Sequence, residues 1–535
     1  MRIGVDVGGT HTDAVILAGA SVVATSKRAT SRDVSGGIIA ALEDLLGASG
    51  TAPTAVEAVM IGTTHFTNAF VERRRLLPVA VIRAARPACD GLPPLSGWPG
   101  GLAKILGGHR YSVRGGYEFD GREISPLNEG EILGVARDLR DRGLRSAAIS
   151  STFSPVNPRM EERIAEILLD QVPGLQVTLS SRVGGLGLLE RENAAIMNAS
   201  LAGLASEVVD SLERALQALD LRAPLYISQN DGTLMNTAVA RRYPVRTFAS
   251  GPTNSMRGAA LLAGTTPARE AIVVDLGGTT CDIGMLKNGY PRESALATTA
   301  GGVRSNQRMA DLVVLGLGGG SRVRQAGTPL VGPDSVGYRL RQEALVFGGD
   351  TLTATDIAVA AGLADLGDRS RVAHLAPAFV RVAGDEIRRR IEEGIDRIKT
   401  EGRDLPVILV GGGSILLGEA DLAGASEVIR PPHFSVANAV GAAVGQFGGA
   451  VDRVFFYGEI GRDEALATAS AQARAAAARA GADEDRTEVI EISEIPLTYM
   501  PGGAVRLRVR AVGEGTFTGR QRGEGELGVG GEACA

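Results

Sequence analysis

Hydrophobic residues in this chain fall into two alternating textures: short continuous apolar runs, and longer stretches where apolar positions recur at helical spacing. The run "RIGVDV" (2–7) reads as a strand, and residues 13–18 as a second, entered through a glycine turn. Residues 35–47 carry helical spacing. A strand over 58–64 leads into a polar loop and a helix starting near Asn68. Strands over 79–83 and 146–151 alternate with helices over 128–143 and 157–170, the first capped by Asn128. A long helix is expected over 188–219, a strand at 224–232 and a second strand-turn-strand at 270–286. "LPVILVGGGS" (405–414) is another strand-to-glycine junction, and "SVANAVGAAVG" (435–445) a helix of small residues whose backbone can be approached closely. This alternation predicts an α/β protein. Residues 84–125, richer in Gly and Pro, read as an excursion from the sheet. Beyond 452 an alanine-rich helix (463–481) precedes strands at 486–493 and 504–512 and a glycine-rich tail, a small C-terminal α+β appendage.

Composition narrows the function classes. At 535 residues the chain exceeds one ordinary core, which predicts two to four domains. A net charge of −5 offers no basic footprint, so neither nucleic acid nor an anionic membrane is an expected partner. The cysteines Cys89, Cys281 and Cys534 are scattered, which argues against a disulfide framework and for a reducing cytoplasm. "MRIGVDVGG" has no basic segment followed by an apolar one, so no secretory signal is expected. The uncharged stretch 431–451 holds His433, Asn438, Gln446 and glycines, which fits a buried helix with loops and not a membrane span. The histidines show no His-x3-His spacing, so a local zinc motif is absent.

The chemistry concentrates in a near-repeat. "VDVGGTHTD" (5–13) recurs as "VDLGGTTCD" (274–282), with Asp6 matching Asp275 and Asp13 matching Asp282 at an offset of 269 (275 − 6 and 282 − 13). A strand ending in Asp puts a carboxylate at a sheet edge, where Mg²⁺ or a nucleophile could be held. The following glycines, Gly8 and Gly9 or Gly277 and Gly278, let backbone N–H groups face phosphate oxygens. Thr10, Thr12, Thr279 and Thr280 add hydroxyls. One such turn is also an ordinary hairpin; two copies suggest related lobes facing one nucleotide. Gly-Lys-Ser/Thr is absent, which excludes a Walker A loop, and the glycines lead into strands, unlike a Rossmann fingerprint. Gly411, Gly412 and Gly413 follow a strand and suit either a flat base on bare backbone or a tight loop. Cys281 reads as a small buried side chain and not a nucleophile.

These elements resemble the phosphate 1, phosphate 2, adenosine and connecting motifs of the actin, sugar-kinase and heat-shock-chaperone superfamily. Within it, the sequence is similar to the A subunit of the hydantoinase/oxoprolinase family over roughly residues 1–450. The segments "DVGGTHTDAV", "GTTHFTNAFVERR" (62–74), "ISQNDGTLM" (227–235), "SGP" (250–252), "DLGGTTCDI" (275–283), "LGLGGGS" (315–321), "VGPDSVG" (331–337) and "LTATD" (352–356) stand in the family's order. Three residues depart from the family pattern: His11 replaces an aromatic Phe, and Asn254 and Ser255 stand where glycine is common.

The resemblance implies two actin-like (ribonuclease-H-like) ATPase lobes around a nucleotide cleft. They span 1–185 (phosphate 1) and 186–450 (phosphate 2 and the adenosine motif), with 451–535 as a small C-terminal region. It implies ATP-dependent ring opening of a cyclic amide such as 5-oxoproline, a hydantoin or a lactam, with a B-type partner subunit in a homo- or hetero-oligomer. Asp6 and Asp275 would hold Mg²⁺, and Gly8, Gly9, Thr10 and Gly277, Gly278, Thr279 would cradle phosphates. Asp13 or Asp282 would orient metal waters or cap a turn. Thr63 and Thr64, with His65, Thr67 and Asn68, would face substrate or γ-phosphate, or begin a capped helix. Glu190, Arg191, Glu192 and Asn193 either point into the cleft or form a solvated helix face. The alternatives are a ketone- or bicarbonate-phosphorylating subunit like that of acetone carboxylase, and a nucleotide-gated chaperone or activator without a small-molecule substrate.

Overall fold

The computed structural model describes the chain apart from residues 9–10, 30–33, 265–269, 295–296, 308, 327, 420, 516 and 518–535. Gly9 and Thr10 of the first turn therefore lie outside the described residues.

Three sheets organise the fold. In the first, nine strands run in the order Ala482–Pro496, Ala504–Gly515, Gln446–Phe456, Thr233–Asn236, Leu225–Ser228, Ala58–Thr63, Arg2–Val7, His11–Ala18, Ser21–Ala29. In the second, the order is Tyr290–Pro291, Cys281–Lys287, Ala271–Leu276, Leu405–Val410, Ala425–Ile429, with Leu312–Leu315 also paired to Cys281–Lys287. The third is parallel throughout: Arg110–Arg114, Ala80–Arg86, Ser146–Ser151, Gln176–Leu179.

Each sheet buries its apolar runs against helices whose spacing the sequence shows. Helices Val34–Ser49 and Leu188–Ala218 cover the first sheet through Ile38, Leu42, Leu45, Val208 and Leu212. Helix Pro377–Ile398 covers the second through Ile387, Ile391 and Ile395. Helices Glu129–Asp141 and Arg159–Gln171 cover the third. Asn128 caps the first of that pair, its Oδ1 accepting from the Gly130 and Glu131 backbone N–H groups at 3.0 and 3.3 Å.

Two expectations are corrected. Residues 84–125 are not an excursion, because Arg110–Arg114 pairs with Ala80–Arg86 as the edge of the third sheet. That edge strand, "RYSVR", is short and charged, so it lacks an apolar run. The C-terminal elements are not an appendage. Gln446–Phe456 lies parallel to Thr233–Asn236 and antiparallel to Ala504–Gly515, so they extend the first sheet. Helix Arg462–Ala480 lies on this extension with Ala465, Ala469, Ala473 and Ala477 buried, and a Cβ on Gly449 would collide with its backbone. The spans 1–185, 186–450 and 451–535 thus divide the chain by motif, while the sheets divide it differently.

Helices Ser250–Leu262 and Ala437–Ala443 cross between the two larger sheets with almost no side chain between them. A Cβ on Gly441 would strike the Asn254 carbonyl oxygen, and one on Gly258 the Ala437 carbonyl oxygen. A Cβ on Gly4, in the first strand, would strike the Ala439 carbonyl oxygen. Gly441→Val should therefore lower unfolding stability by about 1–3 kcal/mol or more. Gly47→Ala, at an exposed helix site with open space around it, should raise it by about 0.5–1 kcal/mol. Urea titration of both variants checks the pair; equal midpoints would show that the crossing is not close-packed.

Candidate active site

The near-repeat is a structural repeat. Arg2–Val7 pairs antiparallel with His11–Ala18 so that Asp6 faces Asp13, and Ala271–Leu276 pairs with Cys281–Lys287 so that Asp275 faces Asp282. Gly8 N–H donates to the His11 carbonyl at 3.0 Å; Gly277 N–H donates to the Thr280 carbonyl at 2.9 Å. These donors and acceptors again lie 269 apart (277 − 8 and 280 − 11). Each first strand also has a parallel neighbour that ends at the turn: Gly62 lies beside Asp6 and Thr63 beside Val7, while Val410 lies beside Asp275. The polar loop at 62–64 and the glycines at 411–413 therefore occupy equivalent places in the two halves.

The crossing helices reach both turns. Asn438 Nδ2 donates to Asp6 Oδ2 at 2.7 Å, and the nearby Ser255 side chain lowers the Asp275 pKa against its desolvation. Asn254 and Ser255, the two departures from the family pattern, both bear on these aspartates. A Cβ on Gly62 would lie 2.5 Å from Asn254 Nδ2 and 2.8 Å from Asp6 Oδ1. Both of those atoms are buried, with no hydrogen-bond partner among the described residues.

The four carboxylates interact with one another. Burial first, then the charges of Asp13 and Asp275, push Asp6 up to about 7, against the Asn438 hydrogen bond and Lys27. Burial and then Asp275 push Asp282 up to about 7. Asp13 and Asp275 are also raised, chiefly by desolvation. Asp275 and Asp282 keep some open surface. Such a group favours protons or a cation, and the unpartnered Asp6 oxygen fits a metal ligand. Among the described residues no three acidic, His or Cys side chains are gathered as a ready-made cage. Mg²⁺ needs none, since one or two carboxylates, water and phosphate complete its shell.

The remaining expected residues are distributed as follows. Gly278, Thr279 and Thr280 are exposed, and a Cβ on Gly278 would meet nothing within 4 Å. Thr12 is fully buried and takes the place that Cys281 takes in the second turn (281 − 12 = 269), so its hydroxyl is an interior group. Burial raises the Cys281 thiol well above its usual value, so it stays protonated and is a poor nucleophile. Gly411 and Gly413 make room for the second turn, since Cβ atoms there would collide with Asp275, Leu276 and Gly277; Gly412 faces open space.

Thr63 and Thr64 sit at the cleft end of Ala58–Thr63. Thr63 Oγ1 is 2.7 Å from His65 Nδ1, and Thr64 Oγ1 donates to the Val7 carbonyl at 3.2 Å. Desolvation and then Arg75 lower the His65 pKa, which keeps the imidazole neutral. Glu192 and Arg191 neither face the cleft nor lie on a solvated face. Glu192 pairs with buried Arg83 at 2.6 Å and accepts from Ser150, while Arg191 bonds Ser180 and the Gly185, Leu186 and Ser151 carbonyls. They fasten helix Leu188–Ala218 to the third sheet. Asp311 pairs with Arg292 and Asp334 with Arg324.

Sequence reasoning did not pick out Asn438 and Lys27, or a role for the loop behind the second turn. Gly319 and Gly320 N–H groups donate to the Gly277 and Gly278 carbonyls at 3.0 and 2.7 Å, and a Cβ on Gly318 would clash with that turn. "LGLGGGS" is thus the support for the second turn. Its glycines were the available signal.

Residues 2–172 match the hydantoinase/oxoprolinase N-terminal region and residues 191–368 the hydantoinase/oxoprolinase domain. The chain belongs to the hydantoinase/oxoprolinase family. It is 27% identical to the caprolactamase subunit alpha of Pseudomonas jessenii over 68% of this chain and 55% of that protein. The crystal structure of the ATP-dependent caprolactamase from that organism superposes with a TM-score of 0.76 at 20% identity, over 96% of this chain and 87% of that one. Nucleotide-free acetone carboxylase superposes with a TM-score of 0.66 at 18% identity, over 96% and 87%. These superpositions show that the chain shares the fold of those two proteins. The chain spans about half the length of the curated relatives it matches, 55% for caprolactamase subunit alpha. Among the described residues no helix is long and apolar enough to cross a membrane.

The raised carboxylates set a pH dependence. With Asp6 and Asp282 moved from 3.8 to about 7, the native state holds more protons than the unfolded chain between those values. Their contribution to stability is therefore present below about 4 and is lost as pH rises towards 7. Asp6→Asn/Asp282→Asn should flatten the decline of melting temperature across pH 4–7 relative to the wild type in metal-free buffer. Parallel profiles would show that these carboxyls titrate normally.

Proposed function

We propose that this chain is the ATP-using subunit of a cyclic amidohydrolase. The reading rests on one observation: two equivalent Asp-Gly turns, from different sheets, bring four carboxylates within interaction distance. A duplicated turn of this kind suits a nucleotide whose phosphates are held from both sides. Family membership and the resemblance to caprolactamase point to a lactam, a hydantoin or 5-oxoproline as substrate, and to a B-type partner subunit.

Each residue's task follows from the chemistry. A lactam is a resonance-stabilised amide and a poor electrophile. Transfer of the γ-phosphoryl group of ATP to its oxygen releases ADP and leaves an activated carbon. Water adds to that carbon, the ring C–N bond breaks as nitrogen takes a proton, and hydrolysis of the acyl phosphate gives carboxylate and phosphate. The protein's work in the first step is positioning and charge neutralisation. Gly8, Gly9 and Thr10 cradle one phosphate region and Gly277, Gly278 and Thr279 the other. Gly412 offers bare backbone to the base. Asp6 and Asp275 would hold Mg²⁺, which when bound neutralises phosphate charge. Asn438 orients the Asp6 carboxylate. Thr63 and Thr64, which follow the Gly62 beside Asp6, would face the substrate or the γ-phosphate. The superposition on acetone carboxylase favours, as a second reading, phosphorylation of a ketone or bicarbonate.

ADP release with Mg²⁺-ATP and a panel of lactams, hydantoins, ketones and bicarbonate tests this. Lactam-dependent release is expected, and Asp6→Ala or Asp275→Ala should lower it about 100-fold or more with the fold intact. Release driven only by ketones or bicarbonate moves the chain to the second reading. Normal turnover in both folded variants removes the assignment.

A further inference from the structure

Asn254 departs from the family pattern, standing where glycine is common, and the proposed mechanism gives it no task. It belongs to helix Ser250–Leu262, whose first turn lies along the end of strand Ala58–Thr63. A Cβ on Gly251 would sit 3.8 Å from Thr64 Cγ2, and Asn254 Nδ2 fills the room that Gly62 leaves by lacking a Cβ. Asn254 is 1% exposed, its carbonyl oxygen lies against Gly441, and its Nδ2 has no hydrogen-bond partner among the described residues.

The pattern repeats one turn earlier. Ser250 precedes Asn254 by four residues, so both lie on one helix face. Ser250 is also 1% exposed, and its Oγ has no partner among the described residues. The helix start carries no side-chain cap, because Ala249 holds the cap position at φ 58°. The Ser250 and Gly251 N–H groups therefore find no acceptor within the helix. A buried donor left unmet bears its full desolvation cost. Packing does not account for such a group at a position where glycine or alanine would fit. The donors gathered here are uncharged. Phosphate is ordinarily met by Arg or Lys, whereas amide and hydroxyl donors suit a neutral carbonyl oxygen.

We infer that Asn254, with Ser250 one turn before it, binds the carbonyl oxygen of the cyclic amide, which makes Asn254 a specificity-determining residue of this chain. This rests on the reading of the chain as a cyclic amidohydrolase with Thr63 and Thr64 on the substrate side, and it names the donors for the atom that takes the phosphoryl group. The donors bind and orient that oxygen and take no part in bond making.

Isothermal titration calorimetry of 5-oxoproline, hydantoin, γ-butyrolactam and ε-caprolactam into the full chain with Mg²⁺-ADP tests this. Wild type should bind at least one of them, and its thioamide analogue about tenfold more weakly, because sulfur is the poorer acceptor. Asn254→Gly should weaken the oxygen amide about tenfold while the thioamide and ADP bind as before. Asn254→Leu keeps the volume without the donor and should lose as much as Asn254→Gly. Unchanged amide binding in Asn254→Gly, or an oxygen-over-sulfur preference that survives the substitution, overturns the inference and leaves the amidohydrolase reading standing. Equal losses of amide and ADP affinity show a structural role and overturn it as well. A wild type that binds none of the four amides removes the amidohydrolase reading and this inference with it.

Discussion

The structure depends on the contact between two helix backbones at Gly258 and Gly441. Helices Ser250–Leu262 and Ala437–Ala443 stand between the two larger sheets; the second delivers Asn438 to Asp6, and the first brings Ser255 near Asp275. With no side chain between the helices there is little to absorb a displacement. A slide of one helix over the other is transmitted to the carboxylates. The superposition on caprolactamase shows that the two proteins share this fold.

Against that scaffold the carboxylate cluster is a liability. Folding gathers Asp6, Asp13, Asp275 and Asp282 and desolvates them, so their raised affinities for protons express a cost that packing elsewhere must offset. The apolar strands beside them, Ile3, Val5, Ile272 and Val274, are fully buried and supply that packing. Chains that violate the rule against gathered like charges do so where function requires it. The burden is also unevenly distributed, since the first turn carries its own ammonium and the second does not.

Much of this was legible in the sequence. A fixed offset between two Asp-Gly-Gly turns is local information, and it survived folding as identical register and identical turn hydrogen bonds. Asn438 had a signal, being an amide in an uncharged stretch of small residues. Lys27 had none, because its pairing with Asp13 needs the register of two strands offset by a bulge near Leu17. Glu192 and Arg191 misled for the opposite reason. Charges on a helix read as solvated until the distant partners Arg83 and Ser151 are known. Thr12 looked like a ligand hydroxyl by composition, and only its equivalence to Cys281 shows it to be an interior residue.

The glycines separate into two kinds on the same grounds. Gly258, Gly441, Gly411, Gly413 and Gly318 are small because protein backbone or a carboxylate already fills the space beside them. Gly278 and Gly412 have nothing within 4 Å, so packing does not explain them. In this they resemble Gly47, where a Cβ would also meet nothing. Composition counts both kinds alike, and only the surrounding atoms distinguish a glycine that packing requires from one that it does not.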